Sequence, residues 1–126
     1  ISGHSGAYRV ISYILQKGGL RDKIKEIYLF DALYGNTEKY IFWLLKNNGK
    51  LINIYTNDGG TKEESEKLLE ACIDWKIKAK FIEEDNLSLK DLLSNRIIFI
   101  HSKLDHNQVL FQNKNFYQYI KSSCLK

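Results

Sequence analysis

The sequence contains no methionine, opens on Ile1, and carries only two cysteines in 126 residues. Each shortage narrows the reading. A chain without Met that starts on Ile reads as a product of processing, proteolysis or truncation, so a segment ahead of Ile1 is expected. No signal peptide is visible in the residues present, and the compartment stays unassigned. Cys72 and Cys124 lack metal-ligand spacing, and Cys72 falls on an apolar helical face, where it reads as core. No apolar run approaches the roughly 18 residues of a membrane span, so no membrane-spanning segment is expected. Internal repeats, low-complexity tracts and linkers are also missing.

What is there suits one packed domain spanning residues 1–126. A hydrophobic content of 44% with 13% aromatic residues is ample for a core and argues against disorder. The net charge is +4, but the 19 basic residues are scattered among 15 acidic ones. That is the pattern of a solvated surface, so no nucleic-acid partner is expected.

Along the chain, strand and helix signals alternate. Ala7, Val10, Ile11, Ile14 and Leu15 recur at helical spacing, and Gly18-Gly19 supply the stop. Ile24 to Phe30 ends in the continuous apolar run Ile27-Tyr28-Leu29-Phe30, which suits a strand covered on both faces. A helix is expected from Asn36 or Thr37 through Ile41, Leu44 and Leu45 to Gly49. Leu51 to Thr56 reads as a strand closed by Asn57-Asp58-Gly59-Gly60. Thr61 to Glu64 has the form of a capping box, opening a helix whose buried face is Ser65, Leu68, Leu69, Cys72 and Ile73. Ala79 to Glu83 reads as a shorter strand near an edge, and Ser88 with Asp91 caps a brief helix. Arg96 to Ile100 is a further apolar strand ending at His101; a loop from Ser102 to Asn107 and a closing helix from Phe116 to Lys121 follow. This order predicts a three-layer α/β fold: a mainly parallel sheet of four or five strands with helices on both faces. Sites in such sheets form beyond the carboxyl ends of the strands. Ser5, Asp31, Asp58, His101 and His106 all fall there.

The opening Ile1-Ser2-Gly3-His4-Ser5-Gly6-Ala7 reads as a strand end, a sharp turn holding a serine, and a helix start. This is the form of a nucleophile elbow, G-x-S-x-G, with Ala in the last place. Small residues at Gly3, Gly6 and Ala7 let the helix pass close to the strand, and Ser5 then projects near the positive end of the helix dipole. The Gly6 N–H is the candidate donor to a developing oxyanion. Serine needs a base to take its proton, and the base needs an acid to hold its tautomer. His106, in a polar loop late in the chain, is the preferred base, with His101 as the alternative. Their ordinary readings are a surface histidine and a hydrogen-bonded strand-end histidine. His4 lies inside the elbow, pointing away from Ser5, and is assigned to the pocket. Asp31, on the end of a buried strand, is the preferred acid, where an unpartnered carboxylate is costly. Asp58 remains the alternative, although turn chemistry alone accounts for it. Tyr34 is a candidate pocket residue, and Asp105 is read as solvated.

With Gly3-His4-Ser5-Gly6-Ala7, the strand-terminal Asp31 and the late His106, the chain resembles the C-terminal half of an α/β-hydrolase. The resemblance covers nearly the whole chain in topology and five residues in motif. It implies Ser5 as nucleophile, Gly6 as oxyanion donor, His106 as base and Asp31 or Asp58 as orienting acid, with no cofactor or metal and a small-molecule acyl substrate. It also implies that a second oxyanion donor and one wall of the pocket lie on strands ahead of Ile1. The chain is then a fragment of a larger protein, inactive alone wherever that donor is not otherwise supplied. An edge strand left open at Ser5 makes a homo-oligomer a further expectation. The competing reading is a non-catalytic, flavodoxin-like α/β domain that binds a small ligand or a protein partner.

Overall fold

Runs of apolar residues too short for helices and flanked by polar turns become strands, and the amphipathic stretches between them become the crossovers. The computed structural model describes residues 1–125. In chain order its elements are β1 (Ser2–His4), α1 (Ala7–Lys17), β2 (Glu26–Phe30), α2 (Thr37–Lys46), β3 (Lys50–Thr56), α3 (Lys62–Asp74), β4 (Lys80–Glu83), α4 (Leu89–Ser94), β5 (Ile97–Ser102), α5 (Gln108–Phe111) and α6 (Asn115–Lys121). Single 3-10 turns lie at Arg21–Lys23, Glu84–Asn86 and Gln112–Lys114.

The five strands form one parallel sheet in the order β1-β2-β3-β5-β4. Every β2 residue is buried, and so is every β3 residue after Lys50, which is why both strands read as unbroken apolar runs. Alternate side chains serve opposite faces. Ile27, Leu29, Leu51, Tyr55, Ile97 and Phe99 pack with Ile11 and Leu15 of α1, Tyr40 and Trp43 of α2, and Leu68 and Cys72 of α3. Tyr28, Phe30, Ile52, Ile54, Ile98 and Ile100 pack on the other face with Leu92 of α4, Val109 of α5 and Tyr119 of α6. Each such side chain, fully buried, contributes about 1.5–3 kcal/mol before entropy is counted. The three layers are therefore α1–α3, the sheet, and α4–α6.

The register puts the carboxyl ends of β1, β2, β3 and β5 along one rim. His4 pairs with Phe30, Phe30 with Ile54, and Thr56 with Ser102. Two details differ from the sequence expectation. Ile73 is 66% exposed, because α3 turns it away from the sheet while Leu68 and Cys72 face inward. The short helix α5 forms between the expected loop and the closing helix, in a stretch to which the sequence reading assigns no element. Among the described residues no helix is long and apolar enough to cross a membrane.

Candidate functional site

The turn after β1 is built by steric necessity at one glycine and by strain at the serine. A Cβ on Gly3 would lie 2.7 Å from the Ala7 Cβ and 2.6 Å from the Ile11 side chain. Only a bare backbone lets α1 cross the strand so closely. Ser5 itself has φ +55°, a left-handed conformation that costs a non-glycine residue on the order of 1–3 kcal/mol. Gly6 is different: a Cβ there would meet nothing within 4 Å, so the close passage expected of it falls to Gly3 and Ala7 alone. The Gly6 N–H, at the N-cap of α1, has no hydrogen-bond acceptor among the described residues.

Asp31 follows β2 at φ +43° and is fully buried. Its N–H continues the sheet ladder to Ile54 O at 2.8 Å. Its carboxylate is surrounded by donors. Oδ1 accepts from the Thr56 N–H at 3.0 Å and from the Thr61 hydroxyl; Oδ2 accepts from the Thr56 hydroxyl at 3.0 Å and from His106 Nδ1 at 2.6 Å. Four donors offset the large desolvation cost of a buried carboxylate. Thr61 thereby leaves the capping box expected for it. Its side chain makes no cap hydrogen bond, and Glu64 turns to the Thr37 hydroxyl at 2.8 Å and to Lys67 at 2.7 Å. A hydroxyl donating to a buried carboxylate makes a charge-assisted bond stronger than a neutral cap, which favours its turn toward Asp31. The Asn57–Gly60 turn closes over the carboxylate, since a Cβ on Gly59 would stand 2.3 Å from Asp31 Oδ2.

His106 lies in the loop between β5 and α5, with its side chain 29% exposed. Asp105, whose side chain accepts from the N–H groups of Asn107 and Gln108 at 2.9 and 2.8 Å, shapes that loop and opens α5. The carboxylate of Asp31 only accepts, so Nδ1 of His106 carries the proton and Nε2 carries the lone pair. Nε2 has no hydrogen-bond partner among the described residues. The Tyr34 phenol oxygen is 3.3 Å from the same Nδ1 and shares its proton weakly. Burial first, and the Asp31 charge second, push the Tyr34 phenol above its ordinary value; the neighbouring Ser5 hydroxyl pulls it back in part. His4 donates Nε2–H to the His106 carbonyl at 2.8 Å and stacks on its ring, centroids 4.5 Å apart at 26°.

Ser5, His4, Tyr34, Asp31 and His106 thus stand together on one rim. Ser5 is half-buried, and no hydrogen bond joins its hydroxyl to a ring nitrogen among the described residues. The other two candidates stand elsewhere. Asp58 is exposed on the turn, and no hydrogen bond ties it to a histidine among the described residues. His101 has Nδ1 2.8 Å from Glu83 and Nε2 2.9 Å from Asn57 Oδ1, with its ring against Tyr55. Both of its nitrogens are occupied, which matches the strand-end structural role. Sequence reasoning passed over Thr56 and Thr61 as ligands of the carboxylate. The chain matches no protein-family model, no curated protein and no solved structure.

The chemistry open to this group is proton transfer. A neutral imidazole with a free Nε2, held by a buried carboxylate at Nδ1, can take a proton from a hydroxyl and be stabilised as imidazolium.

Proposed function

We propose that the protein is a serine hydrolase of the α/β-hydrolase type, acting on an ester, thioester or amide. The observation that carries this reading is the 2.6 Å bond between Asp31 and His106, made on a carboxylate with three further donors and leaving Nε2 free. Ser5 is the nucleophile, lifted into the left-handed region at the N-terminus of α1. In the first step Ser5 Oγ attacks the acyl carbon, Nε2 of His106 takes the hydroxyl proton, and Asp31 stabilises the resulting imidazolium. The Gly6 N–H, at the positive end of the α1 dipole, faces the charge on the tetrahedral oxygen. The imidazolium then gives its proton to the leaving group. Water, activated by the same Nε2, releases the acid from Ser5.

One observation favours the second reading, a non-catalytic domain that binds a small ligand or a partner: the Ser5 hydroxyl makes no hydrogen bond to His106 among the described residues. Turnover of short 4-nitrophenyl esters by the protein at its natural length separates the two. The hydrolase reading expects hydrolysis that disappears in Ser5→Ala; equal rates for both proteins would leave only the binding domain.

A further inference from the structure

We propose that His4 is a positioning residue that fixes the His106 ring over the elbow. Its effect on turnover rests on the hydrolase reading; the positioning itself does not.

Asp31 and, weakly, the Tyr34 hydroxyl both meet Nδ1, so they place one atom of the His106 ring, and the Tyr34 ring stands at 66° to it with centroids 6.3 Å apart. The loop's local bonds do not touch the ring. Ser102 Oγ to the Leu104 N–H at 3.1 Å, and Asp105 to the N–H groups of Asn107 and Gln108, shape the loop internally. Lys103 to Asp85 at 2.6 Å, and Ser102 to Glu84, tie it toward the 84–86 turn on the side away from β1. His4 adds the restraint from β1 that stacks on the ring and holds the backbone, and both of its contacts land on His106. Nε2–H holds the backbone carbonyl at 2.8 Å, which sets where the side chain starts. The stacked rings, 4.5 Å apart at 26°, set the plane in which Nε2 points. The ordinary reading of His4, a half-buried histidine satisfying whatever lies near, gives no reason for two independent contacts with one residue 102 positions away.

The bond also fixes the tautomer of His4. A carbonyl only accepts, so Nε2 of His4 carries a proton, and the neutral form of the ring has its lone pair on Nδ1. When His106 takes a proton, its charge lies against the face of the His4 ring, and with that ring in its neutral form the pair is inside the roughly 6 Å range of a cation–π contact. The support is therefore stronger after proton transfer than before it, and its loss is read in kcat rather than in KM.

Three variants separate the two contacts: His4→Ala removes both, His4→Phe keeps the stack, and His4→Gln keeps a donor to the carbonyl. The first readout needs no catalysis: the far-downfield NMR signal of the His106 Nδ1 proton in its bond to Asp31. It is expected to be sharp in the parent protein, lost to exchange in His4→Ala, and kept in part by the other two. The second is hydrolysis of 4-nitrophenyl acetate, in which His4→Ala is expected to lower kcat by roughly ten- to a hundredfold with KM nearly unchanged. His4→Phe and His4→Gln are each expected to recover part of that loss. If His4→Ala fails to fold, the other two carry both measurements. A proton signal that responds as described in a protein with no ester turnover would refute the hydrolase reading and leave the positioning intact. Positioning is overturned if the signal is missing from the parent protein, if it is unchanged in His4→Ala, or if all three variants lose rate only in proportion to a common fall in melting temperature.

Discussion

Asp31 Oδ2 and His106 Nδ1 meet at 2.6 Å across 75 residues of chain, one buried at the end of β2 and the other in the loop after β5. This contact joins the turn after β2 to the loop after β5 on the carboxyl rim. It also commits the imidazole to one tautomer, with its lone pair on the outer nitrogen.

Asp31→Asn tests that commitment. The amide keeps the shape, but its NH2 group opposes the Nδ1 proton or forces the other tautomer on the ring. Ester turnover should fall by roughly 10³–10⁴-fold with the fold retained, as seen by kinetics alongside circular dichroism. Asp31→Ala should in addition destabilise the protein by about 1–3 kcal/mol for a donor left unmatched among Thr56 and Thr61, read by denaturant titration.

Ser5 trades stability for position. Its φ of +55° is a conformation that glycine adopts without strain. Ser5→Gly is therefore expected to raise stability by about 1 kcal/mol while abolishing turnover. A calorimetric melting curve and an ester assay on the same sample check both halves.

Two glycines of the rim should behave in opposite ways. Gly59→Ala drives a Cβ to 2.3 Å from Asp31 Oδ2, so the turn or the carboxylate must shift; a loss of about 1–3 kcal/mol and a sharp fall in turnover are expected. Gly6→Ala meets nothing within 4 Å at a backbone angle that alanine tolerates, so its melting temperature should hold or rise slightly. Thermal melts of the pair provide the comparison.

Acid stability has a local contributor outside the site. The Lys80 ammonium beside Asp91, and then the Ser88 hydroxyl and N–H, hold this carboxyl down from the usual 3.8 to about 2. A carboxyl depressed in the folded state stabilises above its unfolded pKa, and that contribution is lost as pH falls through the folded one. The loss should therefore run from pH 3.8 down to about 2. Asp91→Asn should flatten the dependence of the unfolding midpoint over that window, its cost being present near neutrality and gone below about pH 2.

Much of this architecture was legible because its causes are local. The buried runs of β2, β3 and β5 could be read as parallel strands, and the Ser88–Asp91 box forms as its spacing predicts. Asp31 stood out because a carboxylate directly after a buried strand needs partners. Its partners did not stand out. Thr56 looked like an ordinary strand end, and Thr61 carried a capping signature that the fold redirects to the carboxylate, a choice made only when β2, β3 and α3 come together. The two contacts of His4 with His106 likewise depend on a loop 102 residues away, which no local pattern announces. Ile73 follows Leu69 at helical spacing, yet α3 leaves it in water near its end.

The most direct test is covalent. A fluorophosphonate, incubated with the protein at its natural length and followed by peptide mass mapping, should leave one phosphonyl adduct on Ser5. The adduct should form far more slowly in His106→Ala and Asp31→Asn. No adduct on Ser5, or one formed at the same rate without His106, would contradict the assignment of this serine as a nucleophile served by that histidine.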